Sequence, residues 1–329
     1  MEQFFAHGHN SPYYAKMKSA LEAMDTEICS VVSSEHSILN ETALHLHKSG
    51  GKHLRPGFVF LGGCFGAYNQ EKLMPLAMSL EITHMATLVH DDVVDSAALR
   101  RNKPTVKALW GNRVSVYTGN YLLAKSMSLV SIYDDSKLNN TLADVALEMC
   151  SGEISQLSSK VNQTKSIDSY LKHIKQKTAL LLSASCELGA YFCGAPQEIT
   201  QPLKLFGEYL GMAFQITDDI LDYSPNAKKF GKVLGGDIRQ NAITLPLLYA
   251  IEQSKNPTQL EELFNKTEKS EKDVTKIISL VNKAGGMESA QLKAKEYTQL
   301  SKHCIEKLPN SEIRTCFLEI ADFVLKRKF

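Results

Sequence analysis

The chain has 329 residues, 43% of them hydrophobic and 22% charged, with a formal net charge of +1. That balance describes a globular chain with ample material for a core, and it excludes a nucleic-acid partner held by bulk charge. Seven scattered cysteines without a CxxC pair argue for reduced thiols in a cytoplasmic protein, against a disulfide framework or a zinc site. No basic-then-apolar leader opens the chain, and no Gly/Ser/Pro-rich linker divides it, so one domain over 1–329 is expected.

Tyr13 to Ser49 carries apolar residues at helical spacing (Met17, Leu21, Met24, Ile28, Val31, Val32), and Gly50-Gly51 stops it. Next, Lys52 and Arg55 sit on a glycine-permitted turn with Pro56 placed to start a helix. Such a turn can present charge and backbone N–H groups to an anion, or simply face water. Phe58 to Tyr68 predicts an apolar, glycine-rich helix whose glycines do not make a GxGxxG loop.

Leu73 to Leu99 is the strongest helix, and it carries His90-Asp91-Asp92-Val93-Val94-Asp95 inside an apolar run. In a helix Asp91 and Asp95 share a face, with Asp92 three residues from Asp95. Unpaired, such carboxylates repel by a few kcal/mol at roughly 4 Å and an effective dielectric near 20. A divalent cation reverses that sign. Oxygen ligands with no His or Cys among them suggest Mg²⁺, which keeps waters and also takes up phosphate oxygens. A solvated acidic patch is the plain alternative. However, Phe214 to Asp222 repeats the spacing with Asp218, Asp219 and Asp222, and two copies favour a two-sided metal clamp on one polyphosphate. His84, seven residues before Asp91, lies two turns away on nearly the same face.

Arg100-Arg101 closes that region beside Asn102-Lys103-Pro104-Thr105, suited either to phosphate oxygens or to a helix C-terminal dipole. Val114 to Tyr133, Leu138 to Lys160 and Tyr170 to Cys193 are further helices. Polar stretches such as Val161 to Asp168 separate them. The apolar run Thr178 to Pro196 contains Glu187 and reads as a buried helix rather than a membrane span. Lys177 among leucines calls for an anionic partner unless it snorkels to water. Tyr223 to Asn241 carries Lys228, Lys229, Gly231, Lys232, Gly235, Gly236 and Asp237, either a mobile lid over a charged site or a solvated connection. Thr244-Leu245-Pro246 restarts helix, and charged helices run on to Lys326-Arg327-Lys328-Phe329. With no strand pattern of useful length, the class expected is all-α.

The motifs GGKHLRP, EITHMATLVHDDVVD, RRNKPT, GEISQ, KTALL, FQITDDILD, GKVLGGD and TLP follow one another from Gly50 onward. As an ordered set they resemble the trans-type polyprenyl diphosphate synthases of the isoprenoid synthase fold. The chain is particularly similar to the catalytic large subunit of two-component hexaprenyl and heptaprenyl diphosphate synthases. The resemblance implies a bundle of long helices around a deep central cavity. It also implies condensation of isopentenyl diphosphate with an allylic diphosphate, such as farnesyl diphosphate, to a long product for a quinone side chain such as that of menaquinone.

By the same resemblance Asp91, Asp92, Asp95, Asp218, Asp219 and Asp222 would hold Mg²⁺, three ions with substrate bound. Arg100, Lys177 and Lys232 would stabilise the leaving diphosphate. Lys52, Arg55, His84 and Arg101 match an isopentenyl diphosphate site, and Thr178 and Gln215 lie where their dipoles would support an allylic cation. A homodimer, or a heterodimer with a small regulatory subunit, is implied, with at most peripheral membrane contact. Ala86, five residues before Asp91, stands where short-chain relatives often carry an aromatic floor. A long product is therefore expected, a shorter-chain synthase being the alternative.

Some positions depart from the family pattern. His53 replaces a common Arg, Asn102 a Gly, Asn120 an Asp, and Asn241-Ala242 a Gly-Lys pair. A class I terpene cyclase is disfavoured because its second metal motif mixes other residue types and it has no use for the cation-rich site. A non-catalytic helical subunit is disfavoured because both Asp motifs and the Lys/Arg set are present.

Overall fold

The computed structural model describes residues 11–162, 166–224 and 234–326. Its helices are α1 (Pro12–Val31), α2 (Ser37–His47), α3 (Leu54–Gly63), α4 (Gln70–Val94), α5 (Val106–Val130), α6 (Ser136–Asn162), α7 (Ile167–Ile174) and α8 (Leu180–Phe192). They continue with α9 (Gln197–Asp222), α10 (Gly236–Arg239), α11 (Leu245–Gln253), α12 (Pro257–Phe264), α13 (Glu271–Lys283), α14 (Gly286–Glu306) and α15 (Glu312–Lys326). Among the described residues the only strands are β1 (Leu99–Arg100) and β2 (Lys103–Pro104), a single short hairpin, so the all-α class holds. Two compact units divide the chain, one taking Met1–Thr141, Leu181–Lys204 and Ile305–Ile320, the other Leu142–Leu180, Leu205–Cys304 and Ala321–Phe329.

In the first unit Ser11 caps α1 by accepting the Tyr13 N–H, Pro12 fills the first turn, and Met17, Leu21, Met24 and Ile28 bury one stripe. The helical region expected over 13–49 is broken between α1 and α2. There Ser33 donates its hydroxyl to the Ser30 carbonyl at 2.6 Å and the Ser34 N–H turns to Asn40 Oδ1, so side chains compete with the helical ladder. In α3 the glycines serve packing. A Cβ on Gly62 would stand 2.8 Å from the Cys186 carbonyl oxygen, and one on Gly189 of α8 2.2 Å from that of Val59.

α4 begins at the Asn69 cap and stops at Val94, short of the Leu99 its apolar pattern predicts. Asp95 is the C-cap and Ser96 takes a φ of +53°. The bonds Ala97 N–H to Asp92 C=O and Ser96 N–H to Val93 C=O then make a Schellman end. The hairpin follows, with a two-residue loop, Arg101-Asn102, at φ of +51° and +61°. Two positive-φ residues define a type I′ turn, and Asn tolerates that region better than most residues other than Gly. Asn102 in place of the expected Gly is thereby accounted for. Thr105 ties the hairpin down through the Ala97 carbonyl and caps α5 at the Ala108 N–H. α5 starts at Val106 rather than Val114 and bends at Gly111, whose φ is +80°.

The second unit is built on two apolar clusters. One joins Tyr170, Ile174, Met212, Ile216 and Ile220 to Leu245 and Leu248; the other joins Tyr223, Ile238 and Leu247 to Phe264, Val274 and Ile277. The single helix expected from Tyr170 to Cys193 is interrupted by a π-helical turn, Lys175–Ala179. The connection after Asp222 contains α10, and Lys228, Lys229, Gly231 and Lys232 lie outside the described residues, as do Arg327, Lys328 and Phe329. All seven cysteines are free thiols. Among the described residues no helix is long and apolar enough to cross a membrane.

Candidate active site

In the first unit the acidic motif occupies the last turn of α4, with Asp92 buried, Asp91 half-buried and Asp95 exposed. The hairpin folds Arg100 back onto Asp92. Its Nε donates to Oδ1 and Oδ2 at 3.0 and 3.2 Å, and Nη2 lies 2.9 Å from Oδ1. Burial pushes the Asp92 carboxyl up, and Arg100 offsets only part of that push.

The next residue, Arg101, serves a second cluster. A small cavity is lined by His53, Glu81, His84, Arg100 and Arg101, among others. Glu81 lies buried among the cations. Burial raises its carboxyl, but His53, His84 and Arg55 outweigh this and hold it at about 2. Burial pushes the Arg55 guanidinium down to about 10, with Glu81 pulling the other way. His84 is held well below its ordinary value by burial and by Arg55. The Glu81 Oε2 and Arg55 Nε atoms are buried without a hydrogen-bond partner, a pattern suited to a ligand that brings its own donors and acceptors. Lys52 is exposed at the rim of the same turn, and Ala86 is fully buried on α4. Sequence reasoning missed Glu81, although an acid three residues before His84 in an apolar helix was a signal that could have found it.

In the second unit the π turn displays three consecutive residues to three partners. Gln176 donates to Glu148 Oε2 at 2.7 Å, Lys177 to Glu153 Oε1 at 2.9 Å, and Thr178 to Gln215 Oε1 at 2.9 Å. Single π turns recur at functional sites because the extra residue re-aims side chains that an α-helix would rotate away. Lys177 does meet an anionic partner, and it is the Glu153 of the neighbouring motif. Gln215 passes the chain on through Nε2 to Asp219 Oδ1 at 2.9 Å, while Tyr170 donates its hydroxyl to Oδ2 at 2.7 Å. Burial and the nearby Asp237 push the Asp219 carboxyl up to about 8, despite those two donors. Tyr170 carries no sequence signal, because its role depends on the approach of α7 to α9.

The three carboxylates of this motif differ. Asp218 is half-buried. Asp222 is buried, and its two oxygens accept the Gly236 and Asp237 N–H groups at 3.1 and 3.0 Å, so it also holds α10 in place. Lys232 falls outside the described residues. Among the described residues no three of His, Cys, Asp or Glu converge as a ready metal cage. Carboxylate oxygens with no His or Cys among them fit Mg²⁺, which takes few protein ligands and fills its shell with water and phosphate oxygens.

Comparison with known proteins shows the family. The sequence model of the family described as "Polyprenyl synthetase" matches residues 36–281. Heptaprenyl diphosphate synthase component 2 of Bacillus subtilis (strain 168) is 40% identical over 316 residues, 96% of this chain and 90% of that protein. The crystal structure of heptaprenyl diphosphate synthase from Staphylococcus aureus superposes with a TM-score of 0.87 at 32% identity, covering 94% of this chain and 98% of that one. Polyprenyl synthase from Caulobacter crescentus CB15, solved with calcium and isoprenyl diphosphate, gives 0.88 at 32% identity, covering 94% and 95%.

Proposed function

We propose, for a chain that belongs to the polyprenyl synthetase family, the activity of a long-chain trans-prenyltransferase. It condenses isopentenyl diphosphate with an allylic diphosphate, farnesyl diphosphate being the expected primer, to a hexaprenyl or heptaprenyl product. The observation that carries this reading is the bonded chain Thr178–Gln215–Asp219–Tyr170 beside Lys177. It joins an acidic motif, two oriented dipoles and a cation within one unit, and no nucleophilic side chain is needed.

Bound Mg²⁺, three ions in this reading, would neutralise diphosphate oxygens and so improve the leaving group. In the first unit Asp91, Asp92 and Asp95 are the residues that would hold such ions, and in the second unit Asp218, Asp219 and Asp222. Arg100 and Lys177, now on Asp92 and Glu153, transfer to diphosphate oxygens as negative charge develops there, with Lys232 as a third cation. Thr178 and Gln215 present oxygen dipoles to the allylic carbons as positive charge develops. Lys52, Arg55, His84 and Arg101 seat isopentenyl diphosphate for attack by its double bond, and the departed diphosphate accepts the proton released.

The small side chain of Ala86 leaves room for a growing tail. The family match runs through both units, which we read as parts of one synthase domain. Exposed apolar residues, Val116, Tyr117 and Met127 on α5 and Leu147 and Ile154 on α6, support a partner subunit, a second copy or a small regulatory chain. We place the enzyme in the cytoplasm, meeting membrane only to release product.

The test is incorporation of labelled isopentenyl diphosphate with Mg²⁺, with and without a small subunit, followed by chromatography of the products. Long prenyl diphosphates are expected, shortened in Ala86→Phe and absent after chelation. Activity surviving in the Asp92→Ala, Asp219→Ala double variant would remove the metal assignment.

A further inference from the structure

His53 is held at a φ of +46°, an uncommon backbone region for a side chain of its size, and its imidazole lies between two carboxylates. Nδ1 is 3.0 Å from Glu81 Oε1 and Nε2 is 3.3 Å from Asp25 Oδ1. Glu81 in turn faces the two guanidinium groups assigned to the isopentenyl diphosphate pocket. A Cβ built on Gly51 would lie 3.5 Å from each of Arg101 Nη1, Glu81 Oε1 and His53 Cε1, so the three groups converge on one point.

We infer that His53, by ion-pairing with Glu81, leaves Arg55 and Arg101 to the incoming diphosphate and thereby sets how tightly this pocket holds it. The inference rests on the function proposed above. The imidazolium attracts both carboxylates at once at these distances, whereas the neutral ring brings no charge to either. Loss of the proton removes a positive charge beside the pocket and leaves Glu81 to compete with the ligand for both arginines. Both effects weaken anion binding. The charged groups around His53 are Asp25 from α1, His47 from α2, Glu81 and His84 from α4 and Arg101 from the hairpin, with Lys52 before it in the chain and Arg55 in the first turn of α3. Burial lowers the proton affinity of His53, but Glu81 and Asp25 outweigh it and raise the net value. Affinity is therefore full below the raised value and falls as pH rises through it. By linkage, binding takes up a proton in that range.

The test uses inorganic pyrophosphate on the full chain without divalent ions, followed by calorimetry from about pH 6 to about pH 9. His53→Arg supplies a permanent cation and His53→Gln none; both retain a side chain at the same backbone φ. Relative to His53→Arg, which cancels the ligand's own titration, wild-type affinity is expected to fall by about tenfold across the range. His53→Gln is expected to bind weakly throughout, and paired buffers of different ionisation enthalpy should report proton uptake by the wild type. In turnover, the KM for isopentenyl diphosphate should follow the same pattern while that for the allylic substrate does not. Parallel wild-type and His53→Arg curves, tight binding by His53→Gln at low pH, or equal shifts in both KM values would overturn the inference. Pyrophosphate binding as described without any prenyl product would instead overturn the functional reading.

Discussion

The Thr178 hydroxyl and the Gln215 side-chain oxygen lie 2.9 Å apart, and Gln215 uses its amide nitrogen on Asp219, so one glutamine orients both a π-turn hydroxyl and a buried carboxylate. The amide cannot rotate without losing both bonds, which fixes the direction of its oxygen dipole.

Replacing Gln215 by Leu keeps the bulk and removes that dipole. The kcat is expected to fall on the order of 100-fold, the scale seen when one pre-oriented polar group is taken from a transition state. The KM for isopentenyl diphosphate should change little, because that pocket belongs to other residues. Steady-state kinetics with each substrate varied in turn checks the split.

Asp219 costs stability in exchange for chemistry. Its folded pKa of about 8 stands above the ordinary 3.8, so the unfolded chain releases this proton first and stability falls between those two values. The penalty is absent below pH 3.8 and complete above about pH 8. Asp219→Asn should therefore melt higher than wild type, by a few degrees above about pH 8 and not at all near pH 4. Activity should be lost at every pH. Melting curves without divalent ions across that range decide it.

Gly189→Ala tests the close contact of α3 with α8. In an open helix this change stabilises by about 1 kcal/mol. Here the added methyl would meet the Val59 carbonyl oxygen at 2.2 Å, backbone that cannot swing aside. The sign is expected to reverse, with a loss of about 2 kcal/mol or more in denaturant unfolding.

At Asn102 the turn demands a φ of +61°. Asn102→Gly should be neutral to slightly stabilising. Asn102→Val should cost on the order of 1–2 kcal/mol, since a β-branched residue is a true outlier there. The same Val variant should lower activity, because the turn aims Arg100 at Asp92 and carries Arg101 to the Glu81 cluster. Comparing both variants in unfolding and turnover separates the two effects.

The candidate residues stand out by spacing, and their grouping into one site came from the family resemblance. The i, i+1, i+4 carboxylates, the cations after Gly50-Gly51 and the paired arginines each announce themselves, because charge inside an apolar helical run is costly unless a partner or a ligand balances it. Helix ends were less legible. The apolar pattern carries α4 on to Leu99, whereas a positive φ at Ser96 ends it at Val94. The π turn was invisible, since its sequence continues the helical apolar pattern without a break.

Residue type and period thus determined the helical class and the two acidic motifs, because those depend on local chemistry repeated along the chain, while the family was legible through the resemblance of the ordered motifs. Which partner each charge takes was settled only by folding. Arg100 on Asp92, Lys177 on Glu153, Glu81 on His53 and Tyr170 on Asp219 join residues from separate turns and helices. Those pairings follow from where helices stop and how closely glycines let them approach, and no periodicity along the chain encodes either distance.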